Sequence, residues 1–532
     1  MNLVNDPWIP IQRNNGDQDV IAPWQITEQS DTEHEIVSIS SPRADFDGAL
    51  IQFLIGLLQT TMTPDNENAW ADYLEKPPSS EVLKKSFSSL THAFEIKGEN
   101  PCFMQDFNVL DVKSANSIAD LLMDSPGGNT IKENKDHFVK RGQTKAMCPV
   151  CAITALLTLQ TNAPSGGQGH RTSLRGGGPL TTLVVNDPRN SDLPDTLWIN
   201  LWLNILDKSR KKIITGGWDK TGDEAIFPWL TKTQTSEKIT GKEVFPDDTH
   251  PDQMYWSMPR RIRILWDQTE TGCCDVCDTY SDELVTHYET KNYGINYSGA
   301  WQHPLSPHSI NKDGEILPRH AQPDGMTYRH WLSLVKESDS LKPALVVQRY
   351  QKMISNFTQE NKEQLRIRSF GYDMDNMKAR CWYETTFPLY TLVNSDGVDL
   401  SIYIETLTNT ATDVSGFVSS CIKEAWFRRP GDARGDTSFL KQAFFQHTEK
   451  PFYQSVKKLI DADVTEKAVL NAWHSTLRSS AYKLFDYWSE NGDFAQSDPK
   501  RISKAHTKLG KLLHSKKLLG ALQVETKKME AA

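Results

Sequence analysis

Residues Gln143 to Val184 read QTKAMCPVCAITALLTLQTNAPSGGQGHRTSLRGGGPLTTLV, and the rest of the sequence is organised around them. They begin with a thiol pair, Cys148 and Cys151, at the two-residue spacing that is typical of tetrahedral zinc sites. An apolar run from Ala152 to Leu159 follows, with the length and the alanine and leucine content of a short buried helix. The pattern predicts a metal-binding turn immediately before a core helix.

A glycine-rich loop comes next. Ser165 to His170 is followed by Arg171, Arg175 and a second glycine run, Gly176 to Gly178. Glycine lets another backbone come close because no Cβ stands in the way. Neighbouring arginines favour an anion, most simply the phosphate backbone of a nucleic acid. The alternative interpretation is an ordinary surface loop, and the loop alone does not decide between the two.

Composition limits the class of protein. With 532 residues the chain is too long for one ordinary core, so we expect two or more domains. A net charge of −9 argues against a protein that coats nucleic acid over its whole surface, but it allows a local basic track. The apolar runs are shorter than a membrane span, and the N-terminus lacks the pattern of a signal peptide. We therefore expect a cytoplasmic protein, in which the eight cysteines are thiols or metal ligands.

A second thiol pair, Cys274 and Cys277, repeats the spacing of the first pair. Two such pairs, each on a turn, predict a four-cysteine zinc site, with Cys273 as the alternative to Cys274. Four reduced thiols without a metal are the other possibility. Four thiolates leave no open coordination position, so a zinc ion there would stabilise the fold and would not activate water.

Catalytic motifs are absent or incomplete in the sequence. His287 and Glu289 match the H-x-E half of a zinc deaminase signature, but they follow both thiol pairs. The glycine loop lacks the Gly-Lys-Ser/Thr ending of a nucleotide-binding P-loop. We therefore expect a protein that is not an enzyme. The alternatives are a stand-alone zinc-containing nucleic-acid enzyme, which needs an open metal site, and a purely structural scaffold.

The predicted fold is α+β. A large mixed α/β N-terminal domain, residues 1–395, carries the zinc-knuckle-like four-cysteine site, and a C-terminal four-helix bundle, residues 396–532, follows it. The bundle prediction rests on apolar residues that recur every three or four positions from Leu407 onward. Within the first domain, the segments around Arg366 and Cys381 predict a β-hairpin with Asp375 and Asn376 at its tip.

Several motifs together resemble one family. They are NDPWIP at residue 5, PCFMQ at 101, PGGNT at 126, the first thiol pair, NAPSGGQGHRTSLRGGGPLTTLV at 162 and WQHPLSPH at 301. This set resembles the large subunit of the type I-E CRISPR surveillance complex, the CasA family of Cascade. The resemblance extends along the chain, and residues 143 to 184 are its most specific part.

The resemblance implies a non-catalytic subunit of an RNA-guided complex. Such a subunit recognises the protospacer-adjacent motif in double-stranded DNA through the minor groove, promotes duplex opening and R-loop formation, and helps to recruit a helicase-nuclease. The implied partners are the CRISPR RNA, the other Cascade subunits, the target DNA and that helicase-nuclease.

The resemblance also implies roles for individual residues. The implied DNA contacts are a glycine loop, a lysine finger and a wedge for which the family usually has glutamine; they correspond here to Ser165, Gly166, Gly167, Gln168 and Gly169, to Lys291, and to Asn376. Residues 124 to 141 resemble the family's segment that contacts the RNA end of the complex, with Asn129 and Phe138 as the implied contacts.

Overall fold

The computed structural model describes residues 1–28, 34–132, 139–140, 142–167, 169–189, 193–209, 220–237, 241–323, 325–354, 365–375, 378–394, 396–432, 435–462, 464–490 and 498–523. Only the backbone is described at residues 128, 129, 352–354, 432 and 490. Among these residues every helix is either too short or too polar to cross a lipid bilayer.

The chain forms two compact units. The first comprises Met1–Pro323, Glu337–Tyr350 and Gln359–Pro388, and the second comprises Asp324–Lys336, Gln351–Thr358 and Leu389–Ala532. Each unit is built from segments that are distant in the sequence. The expected division into two domains, residues 1–395 and 396–532, stays a prediction.

The α-helices are numbered in chain order: α1 Ala44–Thr61, α2 Glu67–Glu75, α3 Ser80–Ser88, α4 Gly128–Lys132, α5 Pro149–Asn162, α6 Leu197–Trp202, α7 Asp223–Ile226, α8 Tyr328–Val335, α9 Leu345–Ile354, α10 Ser401–Trp426, α11 Ser438–Ile460, α12 Glu466–Glu490, α13 Pro499–Leu513 and α14 Lys516–Ala521.

The strands are numbered likewise: β1 Ile9–Arg13, β2 Gln18–Ile21, β3 Ile36–Ile39, β4 Asn116–Ser117, β5 Thr181–Asn186, β6 Glu243–Val244, β7 Arg261–Ile264, β8 Thr269–Cys273, β9 Tyr280–Val285, β10 His287–Lys291, β11 Asn296–Tyr297, β12 His308–Ile310, β13 Ile316–Pro318, β14 Leu341–Lys342, β15 Leu365–Asp375 and β16 Lys378–Pro388.

Helix α1 is the central element of the first unit. Two aspartates, Asp45 and Asp47, occupy its first turn, where negative charge is favourable because of the helix dipole. The helix packs against α5, α6, β3 and β15. Its Phe53 ring meets the rings of Trp8, Phe94, Phe103 and Trp256 edge-on, at centroid distances between 5.1 and 6.0 Å. This arrangement suits the quadrupoles of the rings and forms the apolar centre of the unit.

Small sheets surround this centre. The longest pairing is the antiparallel order β16–β15–β5, in which β15 is the middle strand. Strands β15 and β16 confirm the predicted hairpin, although they extend further toward the tip than the sequence pattern indicated. A second sheet has the order β4–β10–β7, and β8 pairs with β9 alone. The hairpin tip at residues 376 and 377 lies outside the described residues.

The second unit is mostly helical. Helix α10 packs against α11, α12 and α13, and α11 packs against α12. The apolar stripe predicted on α10 is buried: Leu407, Ala411, Val414, Val418 and Cys421 are each 0 % exposed. Apolar residues at this spacing share one helix face, which is the reason that they meet the neighbouring helices.

A segment from before the hairpin also belongs to this second unit. Helix α8 packs against α10 and α11, and its Tyr328 ring stacks on Phe452 at 4.2 Å between ring centroids. The Tyr328 hydroxyl and the Thr448 hydroxyl are hydrogen-bonded at 2.9 Å. No pattern in the sequence indicated that residues 328–335 belong with the helices after residue 400.

Two histidines of the WQHPLSPH segment are buried in the first unit. His303 and His308 are 3 % and 4 % exposed. Burial lowers the pKa of His303 below its ordinary range, and the charge of Arg175 lowers it further. Burial lowers the pKa of His308 from 6.5 to about 4. Both side chains are therefore neutral in the folded protein near pH 7 and form part of its core.

We expect the first unit to lose stability in mild acid. The unfolded chain binds protons at its histidines near pH 6.5, whereas the folded chain resists protonation of His308 until about pH 4. Stability is therefore complete above about pH 6.5 and falls as the pH approaches 4, by about 3 kcal/mol for His308 alone. Denaturant unfolding at several pH values checks this, with His308→Gln as the variant without the titrating ring. If the free energy of unfolding falls equally with pH in the variant and in the wild type, the expectation is wrong.

Candidate nucleic-acid interface and four-cysteine cluster

The two thiol pairs meet in the structure. Cys148 is the N-cap of α5, and Cys274 and Cys277 lie on the turn between β8 and β9. The four sulfur atoms lie within 4.8 Å of one another, and those of Cys148 and Cys277 are 3.7 Å apart. A tetrahedral zinc site with bonds of about 2.3 Å places its sulfurs roughly 3.8 Å apart. The donor set and its spacing thus fit a metal ion that prefers thiolates.

Backbone pairing joins the two turns across a long insertion. Met147 and Val285 exchange both backbone hydrogen bonds, at 2.9 and 2.7 Å. The Asp275 carboxylate accepts hydrogen bonds from the amides of Lys145 and Ala146, at 2.6 and 2.9 Å. These contacts hold the thiols together by protein geometry alone. Cys273 is exposed on β8 and is not part of the four-cysteine cluster.

Hydrogen bonds among the four thiols change the pKa values of two of them in opposite directions. Hydrogen bonding with Cys148 and with Cys274 raises the pKa of Cys151 above its ordinary value. Hydrogen bonding from Cys148 and Cys151 lowers the pKa of Cys274 well below its ordinary value. One thiolate stabilised by the neighbouring thiols is the arrangement that a bound cation neutralises best.

The first glycine loop leaves α5 at Asn162 and is held at its base by Arg260. The Arg260 guanidinium donates one hydrogen bond to the Pro164 carbonyl and another to Nδ1 of His170. Gly167 and Gly169 have φ angles of +82° and +80°, a conformation that L side chains rarely adopt. Both ends of the loop are thus fixed, while its middle is exposed. Gln168 lies outside the described residues.

Lys291 lies beside this loop. It ends β10 with an exposed side chain, and two residues later the Tyr293 amide donates to the Gly169 carbonyl at 2.7 Å. A Cβ on Gly169 would lie 2.9 Å from the Tyr293 ring and 3.0 Å from Cβ of Asn292. Only glycine allows this close approach. The structure therefore brings the loop against the chain that immediately follows Lys291.

The second glycine run lies against the hairpin. A Cβ on Gly178 would lie 2.6 Å from Cγ of Met374 and 2.9 Å from the Tyr372 carbonyl oxygen. A Cβ on Gly371, in β15, would lie 2.7 Å from the Pro179 carbonyl oxygen. The described hairpin residues nearest its tip are therefore anchored to the chain that follows the first loop. Asn376, the expected wedge, lies outside the described residues.

The structure corrects the expectation that Arg175 faces an anion beside the glycine loop. It is 3 % exposed and donates to the Gln52 side-chain oxygen at 2.6 Å and to the hydroxyls of Ser306 and Thr181 at 2.8 Å each. Burial lowers its pKa to about 9. Arg175 fastens α1 to the WQHPLSPH segment, and it is too deeply buried to contact a nucleic acid. Arg171 is half-buried and donates to Ser236 at 2.8 Å.

The segment expected to contact the RNA end of the complex, residues 124 to 141, contains α4. Asn129 lies in this helix, of which only the backbone is described at that position, and Phe138 lies outside the described residues. Lys378, at the start of β16, donates to the Thr130 hydroxyl at 3.2 Å. A cavity of about 580 Å³ adjoins the segment, and the residues that line it include Arg43, Asp124, Lys140, Lys145 and His287.

A partly buried series of hydrogen bonds connects this segment with the hairpin. The Tyr372 hydroxyl donates to Asp45, and Arg43 donates to Asp45 at 2.9 Å and to Asp124 at 3.0 Å. Although burial opposes charge on Arg43, the two aspartates raise its pKa. Sequence reasoning missed these hydrogen bonds and also missed Arg260. Apart from Arg43 and Asp45, the bonded residues are 81 to 327 positions apart in the sequence.

Comparisons with known proteins agree with this architecture. The family model described as CRISPR-associated protein Cse1 matches residues 2–484. The Cse1 structure from Thermobifida fusca is 15% identical, with 99% of each chain covered and a TM-score of 0.67. Cse1 from Acidimicrobium ferrooxidans is 14% identical, with 98% of each chain covered and a TM-score of 0.66. A chain of a structure titled CRISPR RNA-guided surveillance complex is 14% identical, covers 97% of this chain and 99% of its own length, and has a TM-score of 0.67.

Proposed function

The chain belongs to the CRISPR-associated Cse1 family, and from this membership we propose that it is the non-catalytic large subunit of an RNA-guided DNA surveillance complex. In this proposal it binds double-stranded target DNA at the protospacer-adjacent motif, promotes duplex opening and R-loop formation, and helps to recruit a helicase-nuclease. Its other partners are the CRISPR RNA and the remaining Cascade subunits. The mixed α/β fold, similar to that of solved Cse1 chains, is consistent with this role.

One observation supports the DNA-binding role above all others. The hydrogen bond between Tyr293 and Gly169 joins the exposed glycine loop to the chain two residues after the exposed Lys291, which supports a common surface for the two. The minor groove offers a degenerate pattern of hydrogen-bonding groups, which a lysine and backbone amides read only loosely. Loose reading suits a subunit that checks a short flanking motif while base pairing with the guide RNA reads the sequence.

The hairpin is the proposed element for duplex opening. The contacts of Met374 and Tyr372 with Gly178 support a fixed position for the described part of the hairpin, and Asn376 is the proposed wedge. Residues 124 to 141, with Asn129 and Phe138, are the proposed guide-complex contact. The hydrogen bond between Lys378 and Thr130 supports a position for this segment next to the hairpin.

We propose a structural zinc ion at the four-cysteine cluster. Cys148, Cys151, Cys274 and Cys277 would hold it, and it would join the start of α5 to the turn between β8 and β9. Four thiolates complete a tetrahedral shell, so the ion would supply stability and no activated water. A four-helix bundle formed by α10 to α13 is the proposed platform for partner subunits.

The two alternatives predict different behaviour. A stand-alone zinc-containing enzyme needs an open coordination position, which four thiolate ligands do not leave. A purely structural scaffold would assemble with the RNA-guided complex without changing its DNA binding. Binding of the assembled complex to duplexes with and without the flanking motif, in the presence and absence of this chain, separates the three functions. Preference for the motif only when the chain is present supports the proposal.

Metal content tests the proposed zinc site. We expect about one zinc ion per chain in protein that is purified without added zinc. Cys274→Ser should lose the ion and lower the melting temperature, because a ligand is removed. The neighbouring Cys273→Ser is the matched control and should retain both, since Cys273 is exposed and outside the cluster. A Cys274→Ser protein with wild-type zinc content and stability would rule out this site.

Gly167→Asp tests whether DNA approaches the glycine loop. A Cβ on Gly167 would have no atom of the described residues within 4 Å, and its φ of +82° strains any L side chain, so a loss larger than that of a control with the same φ must come from a bound partner. The added bulk and negative charge should abolish binding of the assembled complex to duplex with the motif. Gly314→Asp is the control, since Gly314 has the same φ of +82° and equally open surroundings on the turn between β12 and β13. Unchanged binding by Gly167→Asp would remove the loop from the interface.

Asn376→Ala tests the wedge. A side chain inserted beside the first base pair offsets part of the unstacking free energy, which is a few kcal/mol per step. The variant complex should therefore bind intact duplex more weakly but bind a target with that base pair already open almost as the wild type does. Binding titrations with duplex and bubble targets measure the difference. An equal loss of affinity on both targets would show that Asn376 is not the wedge.

A further inference from the structure

A buried cation lies directly behind the glycine loop. Arg260 is 9 % exposed and has no carboxylate partner within the described part of the chain. Its guanidinium is 3.3 Å from the position that a Cβ on Gly166 would take. Burial lowers its pKa to about 10, so it keeps its charge at neutral pH. An unpaired charge that is shielded from water produces a stronger local potential than an exposed one.

The same guanidinium fixes the tautomer of His170. Arginine can only donate hydrogen bonds, so Nδ1 of His170 must accept the bond from Arg260. Burial and the charge of Arg260 lower the pKa of His170, which keeps the ring neutral. The proton of the neutral ring therefore lies on Nε2. This N–H group has no acceptor among the described residues, and the side chain is half-exposed at the end of the loop.

The amides of the loop are also unused. The N–H groups of Gly166, Gly167 and Gly169 donate to no acceptor in the parts of the chain that the structure describes. The three glycines are exposed or half-exposed, so these amides can reach a ligand. A concave set of backbone N–H groups is a common anion-binding arrangement.

We propose that Arg260, His170 and the loop amides form a binding site for a phosphate group of the target DNA backbone. The site consists of the Arg260 guanidinium behind the loop, the Nε2–H group of His170 and the loop amides. Each of these groups can donate a hydrogen bond to an anion, and none of them would accept one. Such a set binds an anion more strongly than it binds a neutral base edge. The inference rests on the proposed DNA-binding function and adds a contact with the DNA backbone to the minor-groove reading that is proposed for this surface.

His170 offers a matched pair of variants. In His170→Gln the amide oxygen can accept from Arg260 and the amide nitrogen can donate to phosphate, so affinity for motif-bearing duplex should stay within about twofold of the wild type. His170→Phe keeps a ring of similar size but removes the acceptor and the donor, and it should weaken binding about tenfold. The measurement is a titration of the assembled complex with motif-bearing duplex. Equal losses in both variants, or wild-type binding by His170→Phe, would overturn the proposed site.

The salt dependence of binding isolates the charge of Arg260. The Arg260→Gln variant removes this charge. It should reduce the slope of the logarithm of the DNA-binding constant against the logarithm of salt concentration by up to about one, because fewer counterions are released from the DNA. His170→Phe should leave this slope unchanged, as should Lys312→Gln, which removes an exposed charge on the turn between β12 and β13. If Arg260→Gln does not assemble, the His170 pair decides the question.

The two proposals fail in different ways. A wild-type complex that binds duplexes with and without the motif equally would contradict the proposed function itself. A wild-type complex that prefers the motif, together with His170→Phe that binds as tightly as the wild type, would contradict only the phosphate site. Melting temperatures of the two His170 variants should agree within a few degrees, since both side chains fit a half-exposed position.

Discussion

The hydrogen bonds between the Gln160 side chain and the backbone of Arg260 fix the position of the candidate interface. The Gln160 amide nitrogen donates to the carbonyls of Arg260 and Met104, and its oxygen accepts from the Arg260 amide, each at 3.0 Å. Gln160 is 0 % exposed, and an unpaired amide there would be costly. This interaction locks the end of α5 to the start of β7. The glycine loop follows α5, and β7 pairs with β10, which carries Lys291.

Close backbone approaches then connect the loop to the hairpin. Gly169 meets Tyr293, while Gly178 and Gly371 allow the chain after the loop to pass against β15. Each contact is too short for a Cβ, so a larger residue would push the elements apart. The partly buried series of hydrogen bonds from Tyr372 through Asp45 and Arg43 to Asp124 continues the connection toward α4. The chain around the glycine loop, the described part of the hairpin and α4 therefore belong to one continuous packing arrangement within the first unit.

Two buried arginines near the loop show how surroundings decide the role of a side chain. Arg175 uses its donors on Gln52, Ser306 and Thr181 and joins core elements. Arg260 lies behind the exposed loop and has no carboxylate partner among the described residues, so its charge acts on the surface of the loop from behind. Both are charged residues close to glycines in space, and both lose hydration on burial, which lowers their pKa values. Only the position of the loop relative to each guanidinium distinguishes a structural arginine from one that can influence a ligand.

The sequence by itself determined features that depend on short-range spacing. Two thiol pairs, an apolar run of helical length, alternating segments around a turn and an apolar stripe from Leu407 identified the four-cysteine cluster, α5, the hairpin and the core face of α10. Spacing is enough there because the periodicity of a helix or strand converts it directly into a shared face. Only the tertiary structure decided which arginine lies behind the loop, that α8 packs with the later helices, and that Lys291 lies beside Gly169. Those facts depend on burial and on pairing between distant segments, which the folded backbone sets and no local pattern encodes.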